Sequence, residues 1–164
     1  MNADDYFAIQ NLINRYADRM DRADFDGCAE LFAHADFYLP GYPPFRSDSA
    51  GLAAMWRDWN HVYPETGNLR TRHVMTNIII ESDGAEHARS QTYGTVFQAA
   101  PGFPLQPIVT ASYNDRFAKV DGRWRYIERR EDVQLIGDLS HHLSRPFSGG
   151  YPNAGAVSTT VGKR

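Results

Sequence analysis

Three side chains in this sequence have the types and positions needed to move a proton. Residues 70–82 alternate as a strand would, which sets His73, Met75, Asn77 and Ile79 on one face. Val74, Thr76, Ile78 and Ile80 take the other face, and apolar residues on both predict that the strand is covered on each side. An imidazole and an amide on a buried face need partners, since each left unpaired costs about 1–3 kcal/mol. Tyr16 falls on the apolar stripe of a helix, so its hydroxyl must find a partner or face a cavity. Asp21 sits five residues later, near the C-terminus of that helix, where a negative charge opposes the helix dipole. A hydroxyl donor, an orienting carboxylate and an imidazole that titrates near neutrality could together take a proton from a carbon beside a carbonyl. A hydrogen-bonded structural histidine and a structural tyrosine are the alternatives that spacing leaves open. Five residues of regular helix also set Asp21 about 140° round from Tyr16. For both to face one cavity, the helix must end or loosen there.

The elements that must position these groups read from the pattern. A first helix is expected from Ala3 to Arg22, with Ile9, Leu12, Ile13, Tyr16 and Met20 as its stripe. Asp24 is the expected N-cap of a short second helix carrying Phe25, Cys28, Leu31 and Phe32. Phe37 to Leu39 reads as a short strand, closed by the Pro- and Gly-rich run 40–44. A third helix is expected from Ser49 to Val62, with Leu52, Met55, Trp56 and Trp59 on one face. Strands are then expected at 70–82, 86–99, 107–120 and 123–136. Asp83-Gly84 and Asp121-Gly122 serve as two-residue hairpin turns, and Pro101 to Pro107 as a longer connection. Helices followed by consecutive strands argue for an α+β fold, a bent antiparallel sheet wrapped around the first helix with a cavity between them. Arg129 and Arg130 fall on opposite faces of the last strand, so one should point inward, most simply to pair with Asp115.

Composition narrows the classes. At 164 residues the chain suits one domain, read here as 1–143, followed by a Ser-, Gly- and Pro-rich tail over 144–164. That tail should be flexible or cover the pocket, with Arg145, Pro146 and Phe147 as its docking residues. The net charge of −3 and the absence of any Lys/Arg cluster argue against nucleic acid as a partner. No stretch is long and apolar enough for a membrane span, and the acidic start lacks the order of a signal peptide, so a cytoplasmic location is the expectation. The single cysteine, Cys28, reads as a buried structural thiol. His141-His142 has no neighbouring ligand cluster, and there is no phosphate loop or nucleophile elbow, so neither metal nor cofactor is expected.

Three stretches carry a family resemblance. The run from Ile9 to Asp21, with Asp24-Phe25 and Leu31-Phe32, resembles the opening of SnoaL-like proteins of the nuclear transport factor two-like superfamily. Arg72 to Asn77 is similar to their first long strand, and Tyr113 to Phe117 with Asp121 to Trp124 to their closing hairpin. The resemblance spans roughly residues 5–138 and implies the cone-shaped, cystatin-like α+β fold. Relatives include scytalone dehydratase, bile-acid 7α-dehydratase, hexachlorocyclohexane dehydrochlorinase, polyketide cyclases and the small subunits of ring-hydroxylating dioxygenases.

The resemblance to bile-acid 7α-dehydratase implies pocket roles for Tyr16, Asp21 and His73, and the dehydrochlorinase has a similar aspartate–histidine pair. The second pocket histidine of scytalone dehydratase, on the next strand, has no counterpart there, since His87 falls near a turn. Asn77, Met75 and Trp56 are the candidate substrate contacts. The reading is a cofactor-independent lyase or isomerase for a small apolar, ring-containing molecule, with His73 as base, Asp21 as its partner and Tyr16 at the oxygen. The competing reading is a non-catalytic ligand-binding module or partner subunit, like the dioxygenase small subunit. Self-association is expected through the convex sheet face, as a dimer or trimer.

Overall fold

The computed structural model describes residues 1–145. Helix α1 (Ala3–Asp21) begins at a capping box in which the Asn2 side chain accepts from Asp5 N–H and Asp5 accepts from Asn2 N–H. Its buried residues include Ile9, Ile13, Tyr16, Ala17 and Met20, the expected stripe except for Leu12, which is only partly buried. Helix α2 (Phe25–Glu30) starts at Asp24, whose carboxylate accepts from Gly27 N–H. Two short strands follow, β1 (Asp36–Tyr38) and β2 (Phe45–Arg46), then helix α3 (Ser49–Trp59). The last four elements are strands β3 (Thr71–Ser82), β4 (His87–Ala100), β5 (Phe103–Val120) and β6 (Arg123–Ile136).

All six strands form one sheet in the order β2-β1-β6-β5-β4-β3. The long four are antiparallel neighbours, as expected, while β1 joins β6 in parallel and β2 was not foreseen. Helix α3 stops three residues short of the expected end, where Asn60 takes an extended backbone. The connection expected over 101–107 is mostly strand: β5 starts at Phe103, and Gly102 turns the chain with φ 74°. Asp121 and Gly122 do form a two-residue hairpin, both with positive φ (51° and 75°). Asp83-Gly84 instead lies within a four-residue loop between Ser82 and His87.

The inner face of the sheet packs on α1 through Ile80, Ala88, Ala111, Tyr113, Phe117, Trp124 and Tyr126. Lys119 Nζ and Trp124 Nε1 each donate to Asp5 Oδ1, at 2.7 and 2.8 Å, which pins the start of α1 to the β5–β6 hairpin. The expectation that β3 is covered on both faces is corrected. Val74 is 38% exposed, Ile79 54%, and Tyr93 beside them on β4 43%. The docking residues expected at 146 and 147 lie outside the described residues. Among those described, Ser144 N–H donates to Trp59 O and the Arg145 guanidinium pairs with Asp58, so the chain returns to α3.

Candidate functional site

A cavity of about 110 Å³ opens between the end of α1, α3 and the inner sheet face. An engineered apolar cavity of ~150 Å³ takes benzene, so this space suits one small ring. Tyr16 and Met20 of α1 and Met55, Trp56 and Trp59 of α3 form one side. Strands β3 to β6 give His73, Val96, Ala111, Tyr113, Glu131 and Val133. The segment after β6 closes it with Leu139, His142 and Leu143.

Asp21 is the last residue of α1, and the chain leaves the helix at Ala23 with φ 57°. The carboxylate therefore turns to β3 rather than into the cavity. His73 Nδ1 lies 2.7 Å from Asp21 Oδ1, and the two side chains are only 6% and 8% exposed. Asp21 also accepts from His73 N–H, at 3.1 and 3.0 Å, and from Thr71 Oγ1–H at 2.8 Å. Burial works against the Asp21 charge, but the bonds from His73 and Thr71 outweigh it and hold the carboxyl below its ordinary value. An acceptor-only carboxylate fixes the proton on Nδ1, which leaves Nε2 for the cavity. The 140° offset is resolved in this way: Tyr16 faces the cavity and Asp21 stands behind His73, so the helix need only end there.

Tyr16 is 3% exposed, with its ring centroid 6.2 Å from that of His73 and 5.6 Å from that of Tyr113. The two tyrosine rings meet edge to face, and burial drives both phenols well above their ordinary pKa. Gly94 makes room for Tyr113: a Cβ at 94 would sit 2.6 Å from the ring edge. Beneath both rings lies Arg129, its Cζ 4.3 Å from the Tyr16 centroid and 4.6 Å from that of Tyr113. Arg129 is the arginine that points inward, and it grips Asp115 through Nε and Nη2, both at 2.7 Å.

Of the expected substrate contacts, only Trp56 lines the cavity. Asn77 does not, and the reason is a β-bulge between Thr76 and Ile79. Asn77 takes φ 51°, which asparagine tolerates, and its side chain is exposed on the strand surface. The extra residue flips the alternation, so the inward set is Thr71, His73 and Met75, then Ile78 and Ile80. Met75 packs against the core without lining the cavity.

Two cavity groups were not foreseen. Glu131 shares the inward face with Arg129 and Val133, but strand parity left open whether that face carries Arg129 or Arg130 and so did not single it out. His142 comes from the turn after β6, which no periodicity signals, and it is 9% exposed with Nδ1 buried and unpartnered. Burial pushes the His142 imidazole down to about 3, aided by His73, so it stays neutral. Burial also lifts the Glu131 carboxyl to about 7, against the pull of Arg129 and His73. Among the described residues no cluster of histidine, cysteine or carboxylate groups could hold a metal, and no helix is long and apolar enough to cross a membrane.

The sequence profile of the SnoaL-like domain matches residues 1–130. The chain belongs to the SnoaL-like family. Among curated proteins none matches its sequence. Solved structures do. An NTF2-like protein with a cystatin-like fold from Novosphingobium aromaticivorans has a TM-score of 0.67 at 19% identity, covering 84% of this chain and 86% of its own. A candidate aromatic ring hydroxylase from the same organism has a TM-score of 0.66 at 19% identity, covering 86% and 98%. A candidate scytalone dehydratase, again from that organism, has a TM-score of 0.64 at 18% identity, covering 81% and 86%. At these identities the likeness establishes the shared NTF2-like fold.

Proposed function

We propose that this SnoaL-like protein is a cofactor-independent lyase or isomerase acting on a small cyclic carbonyl compound. The observation that carries the reading is the 2.7 Å contact between His73 Nδ1 and Asp21, which leaves Nε2 facing an aromatic-walled cavity. His73 takes a proton from the carbon beside the carbonyl, and Asp21 stabilises the imidazolium that forms. Tyr16 hydrogen-bonds the carbonyl oxygen as it gains charge. The apolar walls of Met20, Trp56 and Val133 favour a hydrocarbon ring over a sugar or phosphate.

Two simple ketones test this. 3-Hydroxycyclohexanone loses water, and cyclohex-3-en-1-one shifts its double bond, to give the same product, cyclohex-2-en-1-one. The purified protein should accelerate formation of that enone, followed by its absorbance, from at least one of them. No acceleration from either at millimolar ketone would count decisively against the reading.

The partner-subunit reading has one observation in its favour, the apolar outer face around Val74, Ile79 and Tyr93. A second copy of this chain is the simpler occupant, and light scattering at micromolar concentration should then give a dimer or trimer. A monomer that co-purifies with a larger oxygenase chain would favour the subunit instead.

A further inference from the structure

We propose that Glu131 is the proton donor to the leaving oxygen when this cavity carries out an elimination. The inference rests on the reading of His73 as base and deepens it. An elimination needs two proton transfers at two atoms of the substrate: one taken from carbon, one given to the departing oxygen. His73 serves the first. Tyr16 is the obvious candidate for the second, but its one O–H is already assigned to the carbonyl oxygen, and burial holds its phenol far above neutrality.

Glu131 is placed for the task. It projects from β6 opposite Tyr113 in the sheet register, onto the same cavity wall as His73 and near enough to feel its charge. Among the described residues its carboxyl makes no hydrogen bond or ion pair. Arg129, which shares its face of β6, commits Nε and Nη2 to Asp115. A carboxyl held in an apolar cavity without a partner is costly as a carboxylate and stable as an acid.

The groups facing it from each neighbouring element leave no rival. From α1 come Tyr16, raised far beyond neutrality, and Asp21, which is turned away behind His73. Strand β5 gives Tyr113, raised likewise, and Asp115, locked to Arg129. After β6 comes His142, kept neutral by burial. Helix α3 presents Trp56 and Trp59, which do not titrate. Glu131, lifted to about 7, is the wall group that both holds a proton near neutrality and can release it.

The step balances. His73 Nε2 takes the proton from the carbon beside the carbonyl, and the electron pair passes through the enolate to expel the β-oxygen. As the C–O bond breaks, that oxygen takes the Glu131 proton and departs as water. An imidazolium and a carboxylate remain, and solvent resets both once the enone leaves. A double-bond shift has no leaving oxygen and so does not need this donor.

The test compares the two ketones in Glu131→Gln, which keeps shape and removes the acidic proton. The expected result is a fall of about 10²-fold or more in the ratio of 3-hydroxycyclohexanone dehydration to cyclohex-3-en-1-one isomerisation, within the range usual for a general acid. In the wild type, dehydration should decline as pH rises through about 7 while isomerisation does not, because only protonated Glu131 donates. That pH comparison decides the matter even if the variant does not fold. An unchanged ratio in a folded variant, or parallel pH profiles for the two reactions, overturns the assignment of Glu131 and leaves the His73 reading standing. Neither ketone reacting overturns both.

Discussion

Asp115→Ala should cost about 3–5 kcal/mol of stability, the usual penalty for removing one partner of a buried ion pair. Asp115 and Arg129 face each other across β5 and β6, and both side chains are fully buried. The pair is bidentate, with a further bond from Arg129 Nη2 to the Tyr126 hydroxyl at 3.2 Å. Four rings, from Tyr16, Phe32, Tyr113 and Tyr126, surround the guanidinium at 4.3–5.0 Å. Arg129 Nη1 already lacks a hydrogen-bond partner among the described residues. Since whole domains are stable by only about 5–15 kcal/mol, the variant should be partly unfolded at 37 °C. The complete pair is another matter. Desolvation offsets most of its attraction, so Asp115→Leu combined with Arg129→Met should recover most of the loss. Urea unfolding with an unchanged m-value measures both. A loss under about 1 kcal/mol in Asp115→Ala would mean that the cation finds another counter-charge, with Glu131 a candidate on the same face of β6.

The sequence pattern was most informative where one period runs unbroken. The stripe of α1 from Ile9 to Met20 forecast a buried Tyr16, because helical spacing holds over that whole length. Asp121-Gly122 forecast its hairpin because few residue pairs tolerate positive φ at both positions. Alternation failed where a bulge interrupts it. Asn77 counted as a neighbour of His73 until the extra residue in β3 reversed the faces. A second reversal in β6, between Tyr126 and Glu128, put Arg129 rather than Arg130 inside and carried Glu131 with it. Bulges leave little local signature, since the residues they insert are ordinary ones. His142 reaches the cavity through a turn anchored to Asn60 and His61, a tertiary contact that local pattern does not encode. The His73–Asp21 approach was legible only through the family resemblance, because a helix end and a strand 52 positions later share no periodicity.

For the site itself, His73→Ala should lower turnover of whichever ketone reacts by about 10²–10⁴-fold, the usual contribution of a general base. The imidazole is little exposed and touches the Tyr16 ring edge-on, so a cavity left by alanine costs stability as well, and the variant's melt must be checked. Asp21→Asn separates positioning from charge. The amide keeps the shape of the carboxylate but sets its own N–H against donors from His73 and Thr71, and it offers no charge to the imidazolium. Its effect should fall on kcat more than on KM, since Asp21 stands behind His73 and does not line the cavity. The pH dependence has a definite sign. A carboxyl held below its ordinary value stabilises the fold once pH exceeds that value, 3.8 here, and the stabilisation fades as pH falls through the lower folded-state value. Between pH 5 and 8 Asp21 therefore stays charged and available to the imidazolium. Turnover within twofold of wild type in a folded His73→Ala variant removes His73 from the chemistry and the dyad with it.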